Sequence, residues 1–317
     1  MNIVVTGGTG LIGSHLIPRL LEAGHRVTEL RRYTATRGLG QTPWPVVWFD
    51  LHDAQPLRDL EEPDLIIHLA AMASNAVANQ NPLECFDINA TGTMRLLHAF
   101  RQSPSCPIIL ASSSEVYAAP MKVAALNPYA ASKIAAEEIV RSSGHPFVIM
   151  RPFNTYGRAP VGAPVAVVDK WCLAALTGGT IQTGDMEVIR DFVFRDDHVA
   201  GYESVVGAIA SGNHAILGQT VDFGTARGIP LRWLLQTVQT KAEEGYGVHA
   251  MTEGGYHRHN DVPVLVGDPS KARTLLGWES KVTLEEGVER TLREWSYRLG
   301  GVGSETEAST RPPQRVG

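Results

Sequence analysis

The stretch Asn2–Gly13, NIVVTGGTGLIG, constrains the fold more than any other part of the chain. A short run rich in β-branched residues leads directly into Gly7, Gly10 and Gly13. An apolar helical pattern follows, with Ile12, Leu16 and Leu20, and Ile17 and Leu21, at i, i+4 spacing. A strand that ends in such a loop and opens a helix makes an anion-binding turn. Glycines let the backbone bend tightly and approach a pyrophosphate, while the helix N-terminus offers free N–H groups and the positive end of its dipole. The spacing here is GxxGxxG rather than GxGxxG. Gly7, Gly10, Leu11, Ile12 and Gly13 are therefore the expected contacts to a dinucleotide.

The rest of the N-terminal half alternates β-branched runs with helical patterns, which predicts a parallel sheet covered by helices. Strands are expected over residues 26–30, 46–49, 65–69, 108–112 and 147–151, with long helices near Pro82–Gln102 and Tyr129–Ser143. After Arg151 the text RPFNTYGRAPVGAPV breaks the alternation, and the chain is expected to leave the sheet and build a second layer. A late return strand is expected over Thr220–Thr225 and an amphipathic helix over LEEGVERTLREWSYRL. Residues 301–317 have no apolar periodicity, and we expect a disordered tail. A chain of 317 residues can bury a sizeable core, and its net charge of -5 gives no basic excess for nucleic acid or an anionic membrane. Cys85, Cys106 and Cys172 lie far apart with no metal-ligand spacing, so they read as buried apolar residues of a reducing compartment. No apolar run is long enough for a membrane span, and strand text begins at Met1, so a cytoplasmic protein is expected.

Two further segments carry chemistry. SSSEVY (Ser112–Tyr117) follows a predicted strand, and YAASK (Tyr129–Lys133) opens a predicted helix. Tyr129 and Lys133, four residues apart, share a helix face. An ammonium beside a phenol favours the phenolate, so Lys133 is expected to lower the Tyr129 pKa towards neutrality. A serine hydroxyl from the strand end can hold the reacting oxygen while Tyr129 exchanges its proton, and Lys133 can also anchor a nicotinamide ribose. Asp50, just after a strand, and Leu51 could bond and pack an adenine.

In order, TGGTGLIG, HLAA (68–71), NATGT (89–93), SSSEVY, YAASK, RPFNTYG (151–157), RDFVFRDD (190–197) and GDPSKARTLLGW (267–278) resemble the extended short-chain dehydrogenases/reductases of the nucleotide-sugar epimerase, dehydratase and reductase class. The resemblance covers about the first 300 residues. It implies an α/β fold, a Rossmann-type doubly wound parallel sheet over residues 1–153 and 188–227. A smaller C-terminal nucleotide-sugar-binding domain is implied over 154–187 and 228–300. It implies that Ser113, Tyr129 and Lys133 are catalytic, with Glu115 as the carboxylate that takes the C5 proton in dehydratases. Leu69, Ala70, Ala71, Asn89 and Phe153 would line the cofactor cleft, and Ser114, Asn154, Arg190 and Arg258 would meet a nucleotide-diphosphate sugar. It also implies a homodimer through the two long helices. The segments TGDMEVIRDF and RHNDVPVLVGDPSKA lean towards the GDP-sugar branch.

At the end of the second strand, where such chains carry an acid for the ribose hydroxyls, this one has Arg31 and Arg32. Two guanidinium groups could pair with the 2′-phosphate of NADP; alternatively they are a solvated strand end with Glu29 as their partner, and if Glu29 instead points to the cofactor NAD could still be used. The leading expectation is thus an NADPH-dependent 4-ketoreductase of a nucleotide-4-keto-6-deoxyhexose. The alternatives are a 4,6-dehydratase or 4-epimerase with retained NAD(P), and a non-catalytic dinucleotide-binding protein.

Overall fold

Seven strands pair in one wholly parallel sheet: β1 (Asn2–Thr6), β2 (Arg26–Arg31), β3 (Val46–Trp48), β4 (Leu65–His68), β5 (Ile108–Ala111), β6 (Phe147–Pro152) and β7 (Gln219–Phe223). Their order is β7-β6-β5-β4-β1-β2-β3. The structure is a computed structural model and describes residues 1–33, 42–52, 57, 60–118, 127–160, 166–255 and 262–300. The helices used below are α1 (Gly13–Glu22), α2 (Asn75–Gln80), α3 (Pro82–Phe86), α4 (Gly92–Ala99), α5 (Pro128–Ser142), α6 (Val167–Leu176), α7 (Arg195–Ala210), α8 (Leu231–Tyr246), α9 (Ser270–Leu276) and α10 (Leu284–Arg298).

Strand side chains alternate between the two faces, so the sheet builds a core on each side. Ile3, Val5, Leu65, Ile67, Ile109 and Val148 pack with α1 and α7 through Leu16, Leu20, Val199 and Tyr202. Val4, Ile66, Ile108, Leu110 and Ile149 pack with α4 and α5 through Leu96, Leu97, Ala136 and Val140. A third core, built from Tyr156, Trp171, Phe194, Leu234, Leu292 and Trp295, holds α6, α8 and α10 together beyond the sheet. Ala272 of α9 and Trp278 cross back onto the sheet's own core.

Strands run outward in both directions from the β1–β4 pair: β2 and β3 on one side, β5 to β7 on the other. That reversal opens a crevice at the carboxyl ends of β1 and β4, where doubly wound sheets bind ligands. The predicted strands hold to within a residue or two at their ends. The helix expected over Pro82–Gln102 is instead α3, a π-helical turn at Asp87–Thr91, and α4. A wider turn of this kind leaves apolar periodicity almost unchanged, so the sequence pattern does not reveal it. The late return strand is β7, paired in parallel with β6. Among the described residues no helix is long and apolar enough to cross a membrane. The predicted tail, 301–317, lies outside the described residues.

Candidate active site

The glycine loop occupies the crevice between β1 and β4. Gly7 has φ +76°, and a Cβ there would stand 2.6 Å from the backbone nitrogen of Ala70. The loop therefore rests directly on the segment Leu69–Ala71 that follows β4. A Cβ on Gly13 would come within 2.3 Å of the Gly7 carbonyl oxygen, so the first turn of α1 packs against the loop as only glycine permits. A Cβ on Gly10 would meet Gly7 O alone, at 3.3 Å, leaving the outer side of the loop open. Ile12, the N-cap of α1, offers no side-chain oxygen to the helix N–H groups. Ser14 N and His15 N donate to Gly10 O and Ile12 O, each at 3.1 Å, so what fits a dinucleotide pyrophosphate is the open glycine loop at the helix N-terminus. Thr6 secures the other wall, where its hydroxyl accepts from Ala70 N at 3.1 Å and bonds His68 Nδ1 at 2.7 Å.

At the adenosine end, Asp50 accepts from His52 N at 3.0 Å and Leu51 is buried, its carbonyl accepting from Arg95 Nη1 at 2.9 Å. The two arginines diverge. Arg31 is buried and forms a two-point ion pair with Glu29, donating from Nε to Oε1 at 2.9 Å and from Nη2 to Oε2. Trp44 Nε1 donates to the same Oε2 at 2.9 Å. Arg32 is exposed.

Helix α5 carries the catalytic candidates. It starts at Pro128, whose missing N–H costs nothing at the first helical position, after Asn127, whose Oδ1 accepts from Ala130 N at 2.8 Å. Tyr129 and Lys133 then lie on successive turns, both buried, with the Lys133 Nζ 5.9 Å from the Tyr129 ring centroid. The ammonium donates to the carbonyl of Ala111, the last residue of β5, at 2.8 Å. This pins the helix to the strand end that presents Ser112–Ser114. Burial pulls Lys133 down to about 8, against the opposing pull of Cys85 and Glu137.

Tyr129 does not follow the fall in pKa expected from its neighbour Lys133. Tyr129 lies at about 12, above a free phenol, because burial outweighs the hydrogen-bonding neighbour Ser113, and the carboxylate of Glu115 adds to the rise. Lys133 is engaged with Ala111 O and does not bring the phenol towards neutrality within the protein alone.

Glu115 has a defined setting. Asn75 Nδ2 donates to its Oε1 at 3.0 Å and Asn127 Nδ2 to its Oε2 at 3.2 Å. Asn75 opens α2, while Asn127 caps α5, so both faces of the cleft hold one carboxylate. Ser113 Oγ accepts from Glu115 N at 3.2 Å, which fixes the turn that carries both side chains, and Ser114 between them is buried.

Behind this group, Arg151 of β6 donates to Glu137 of α5 from Nε at 2.8 Å and from Nη2 at 2.7 Å. Burial opposes ionisation of Glu137, but hydrogen bonds from Arg151 and Ser112 hold it below the usual carboxylate range. The Arg151 guanidinium also lies 4.9 Å from the centroid of the Tyr117 ring, whose hydroxyl donates to Asp222. Asn89 is buried and spent on the scaffold: it accepts from Met72 N at 2.8 Å and donates to Ser132 Oγ at 2.9 Å. It ties the segment after Ala71 to the catalytic helix.

Phe153 is buried beneath Gly267, where a Cβ would meet its ring at 2.8 Å. Asn154 Nδ2 donates to Asp191 O at 2.9 Å, and the buried Arg190 donates to Ile189 O at 2.8 Å. Asp191 gathers this wall, accepting from Thr225 N at 2.9 Å, Ala226 N at 3.1 Å and Gly267 N at 3.1 Å. Arg258 lies outside the described residues. Among the described residues no group of three or more His, Cys, Asp or Glu side chains is placed to hold a metal ion.

The profile of the GDP-mannose 4,6-dehydratase family matches residues 4–291, from within β1 to within α10. The chain belongs to that family. It is an extended short-chain dehydrogenase/reductase of the nucleotide-sugar epimerase and dehydratase type. The UDP-glucose 4-epimerase of Mycolicibacterium smegmatis is 31% identical over 317 residues, covering 92% of this chain and 97% of that one. The structure of the Thermotoga maritima UDP-glucose 4-epimerase with UDP-glucose superposes with a TM-score of 0.82 at 27% identity, covering 94% and 100% of the two chains. The Thermus thermophilus UDP-glucose 4-epimerase in complex with NAD gives 0.78 at 27% identity, covering 93% and 99%.

Within this dehydratase-family chain, sequence reasoning missed Asn75, Asn127, Glu137 and Asp191. Asn127 could have been found, since Asn before Pro is a helix-start signal. Asn75 reaches Glu115 across 40 residues of chain, and no local pattern reports that contact.

Proposed function

We propose that this chain oxidises C4 of a nucleotide-activated hexose and then eliminates water across C5 and C6, the reaction of a 4,6-dehydratase. The observation that carries this reading is Glu115, held by Asn75 and Asn127 beside Tyr129. Reduction or epimerisation at C4 asks for a hydroxyl, a phenol and an ammonium; removal of the C5 proton asks for a further carboxylate in a fixed place. The nicotinamide dinucleotide, when bound, supplies the hydride acceptor for C4 and the donor for C6, so the net change is loss of one water.

In this reading Ser113 holds the C4 oxygen, Tyr129 takes its proton, and Lys133 holds Tyr129 and the nicotinamide ribose in place. Glu115 takes the C5 proton and passes it to the departing C6 hydroxyl, which leaves as water; C5 then takes a solvent proton back through Glu115 as C6 is reduced, balancing the C4 hydroxyl proton that Tyr129 releases. Gly7 to Gly13, Leu69 to Ala71, Asp50, Leu51 and Phe153 line the cofactor's path. Residues 154–187 and 228–300, with Asn154, Arg190 and Arg258, receive the nucleotide sugar. Support comes from the family and from relatives named for UDP-glucose and NAD. Incubation with GDP-, UDP- and dTDP-hexoses should give a 4-keto-6-deoxy sugar from one of them without added NADPH. Recovery of a 4-epimer alone would refute the dehydratase assignment.

A second reading, reduction of a 4-keto-6-deoxy sugar by NADPH, is favoured by the exposed Arg32 that follows β2, Arg31 being paired with Glu29. Stoichiometric loss of 340 nm absorbance with such a substrate would select it. The exposed apolar side chains Val77, Leu83, Phe86 and Met94 on α2 to α4, Leu83 being 86% exposed, support a homodimer through this face. Light scattering should give twice the monomer mass, and Leu83→Glu should return it to that of one chain.

A further inference from the structure

Glu29 is an unusual residue for the middle of a parallel strand. It is 1% exposed, its carboxylate is bound at both oxygens, and among the described residues the donors come from two side chains, Arg31 and Trp44. Because side chains two apart on a strand share a face, Glu29 and Arg31 project together. The carboxylate lies under the glycine loop, since a Cβ on Gly8 would stand 2.5 Å from Glu29 Cδ. The ion pair therefore sits at the junction of the loop and the end of β2, where the adenosine ribose and its 2′-substituent are read in folds of this kind.

An arginine at this position would add a full positive charge to attract a 2′-phosphate. Here an equal negative charge is bound to it at two points, inside the protein, where solvent screening is weak. The carboxylate also fixes the guanidinium, which spends Nε and Nη2 on Glu29. Arg32, the next residue, turns to the other face of the strand end and is exposed. Among the described residues the doublet thus presents one guanidinium, that of Arg32, with no carboxylate bound to it.

We propose that Glu29 is a specificity-determining residue for the cofactor: it cancels Arg31, leaves Arg32 as the cation of the doublet that a 2′-phosphate meets, and so keeps the site open to NAD as well as NADP. This rests on the dinucleotide reading of the cleft. Trp44 serves the same arrangement by holding the carboxylate against Arg31.

The test is direct binding of NAD+ and NADP+ to the apo-protein, followed by titration calorimetry, so that turnover is not needed. Glu29→Gln keeps shape and an acceptor for Arg31, and should raise the NADP+ to NAD+ affinity ratio about tenfold. Arg32→Ala, at an exposed position that leaves folding intact, should lower the ratio about tenfold. The double variant E29Q/R31M buries no unpaired charge and should restore a ratio within about threefold of the wild type. An unchanged ratio in Glu29→Gln or Arg32→Ala would overturn the proposal. So would a double variant whose ratio falls as far as that of Arg32→Ala, because Arg31 would then contact the phosphate itself. If the wild-type protein bound neither dinucleotide, the dinucleotide reading would fail first and this inference with it.

Discussion

Asn127 is the most informative position to perturb, because its two side-chain atoms do separate jobs. Oδ1 caps the catalytic helix through Ala130 N at 2.8 Å, and Nδ2 donates to Glu115 Oε2 at 3.2 Å. Asn127→Ala removes both. Loss of the cap should cost about 1 kcal/mol of folding stability, measured by urea denaturation. Loss of a hydrogen bond to a charged group is worth about 1.5–3 kcal/mol, which corresponds to about a 10- to 150-fold fall in the elimination step if the bond is needed to hold Glu115 in place. Asn127→Ser separates the two. Serine caps helices about as well as asparagine, so stability should return to within about 0.5 kcal/mol of the wild type, but its hydroxyl is too short to reach Glu115. The turnover defect should remain, read as release of 4-keto product. If Asn127→Ser recovered wild-type turnover, Asn127 would act through the helix alone, and the clamp on Glu115 would lose its catalytic meaning.

Other outcomes follow from the same geometry. Tyr129→Phe should lower turnover about 100- to 10,000-fold while leaving dinucleotide binding within about threefold, since the phenol moves a proton and the glycine loop holds the cofactor; stopped-flow absorbance and calorimetry measure the two separately. His68, buried between Thr6 and Thr93, is held by burial and by nearby Lys133 at about 3, far below the unfolded value. Between those values the unfolded chain takes up a proton that the folded chain refuses, so the His68 contribution to stability is lost as pH falls below about 6.5. Urea titrations at pH 7 and pH 5.5 should show a loss in the wild type about 1 kcal/mol larger than in His68→Asn.

The parts of the fold that were legible in the sequence are those set by local geometry. Gly7 and Gly13 follow from the turn that β1 must make, and the strands follow from continuous β-branched runs that are buried on both faces. The nearness of the Ser-rich end of β5 to Tyr129 and Lys133 was legible because a strand end and one helix face bring them together, whereas the choice of Ser113 among Ser112–Ser114 rested on the family resemblance. The fate of Arg31 was half legible: Glu29 two residues away shares its face of the strand, but the third partner, Trp44, comes from beyond the strand. The rise of Tyr129 was not legible, because spacing reports proximity to Lys133 and says nothing about burial or about where the ammonium donates its proton. Asn89 shows the same limit. A polar residue in a family motif reads as a cofactor contact, yet its amide is consumed by Met72 and Ser132.

The central claim is that Glu115 moves the C5 proton of a sugar oxidised at C4. It is tested most directly by running the reaction in D2O and locating deuterium in the product by NMR. The account predicts one deuterium at C5 of a 4-keto-6-deoxy product, and, in Glu115→Gln, loss of both elimination and C5 labelling with dinucleotide binding intact. A product formed without deuterium at C5, or C5 labelling that survives in Glu115→Gln, would contradict it.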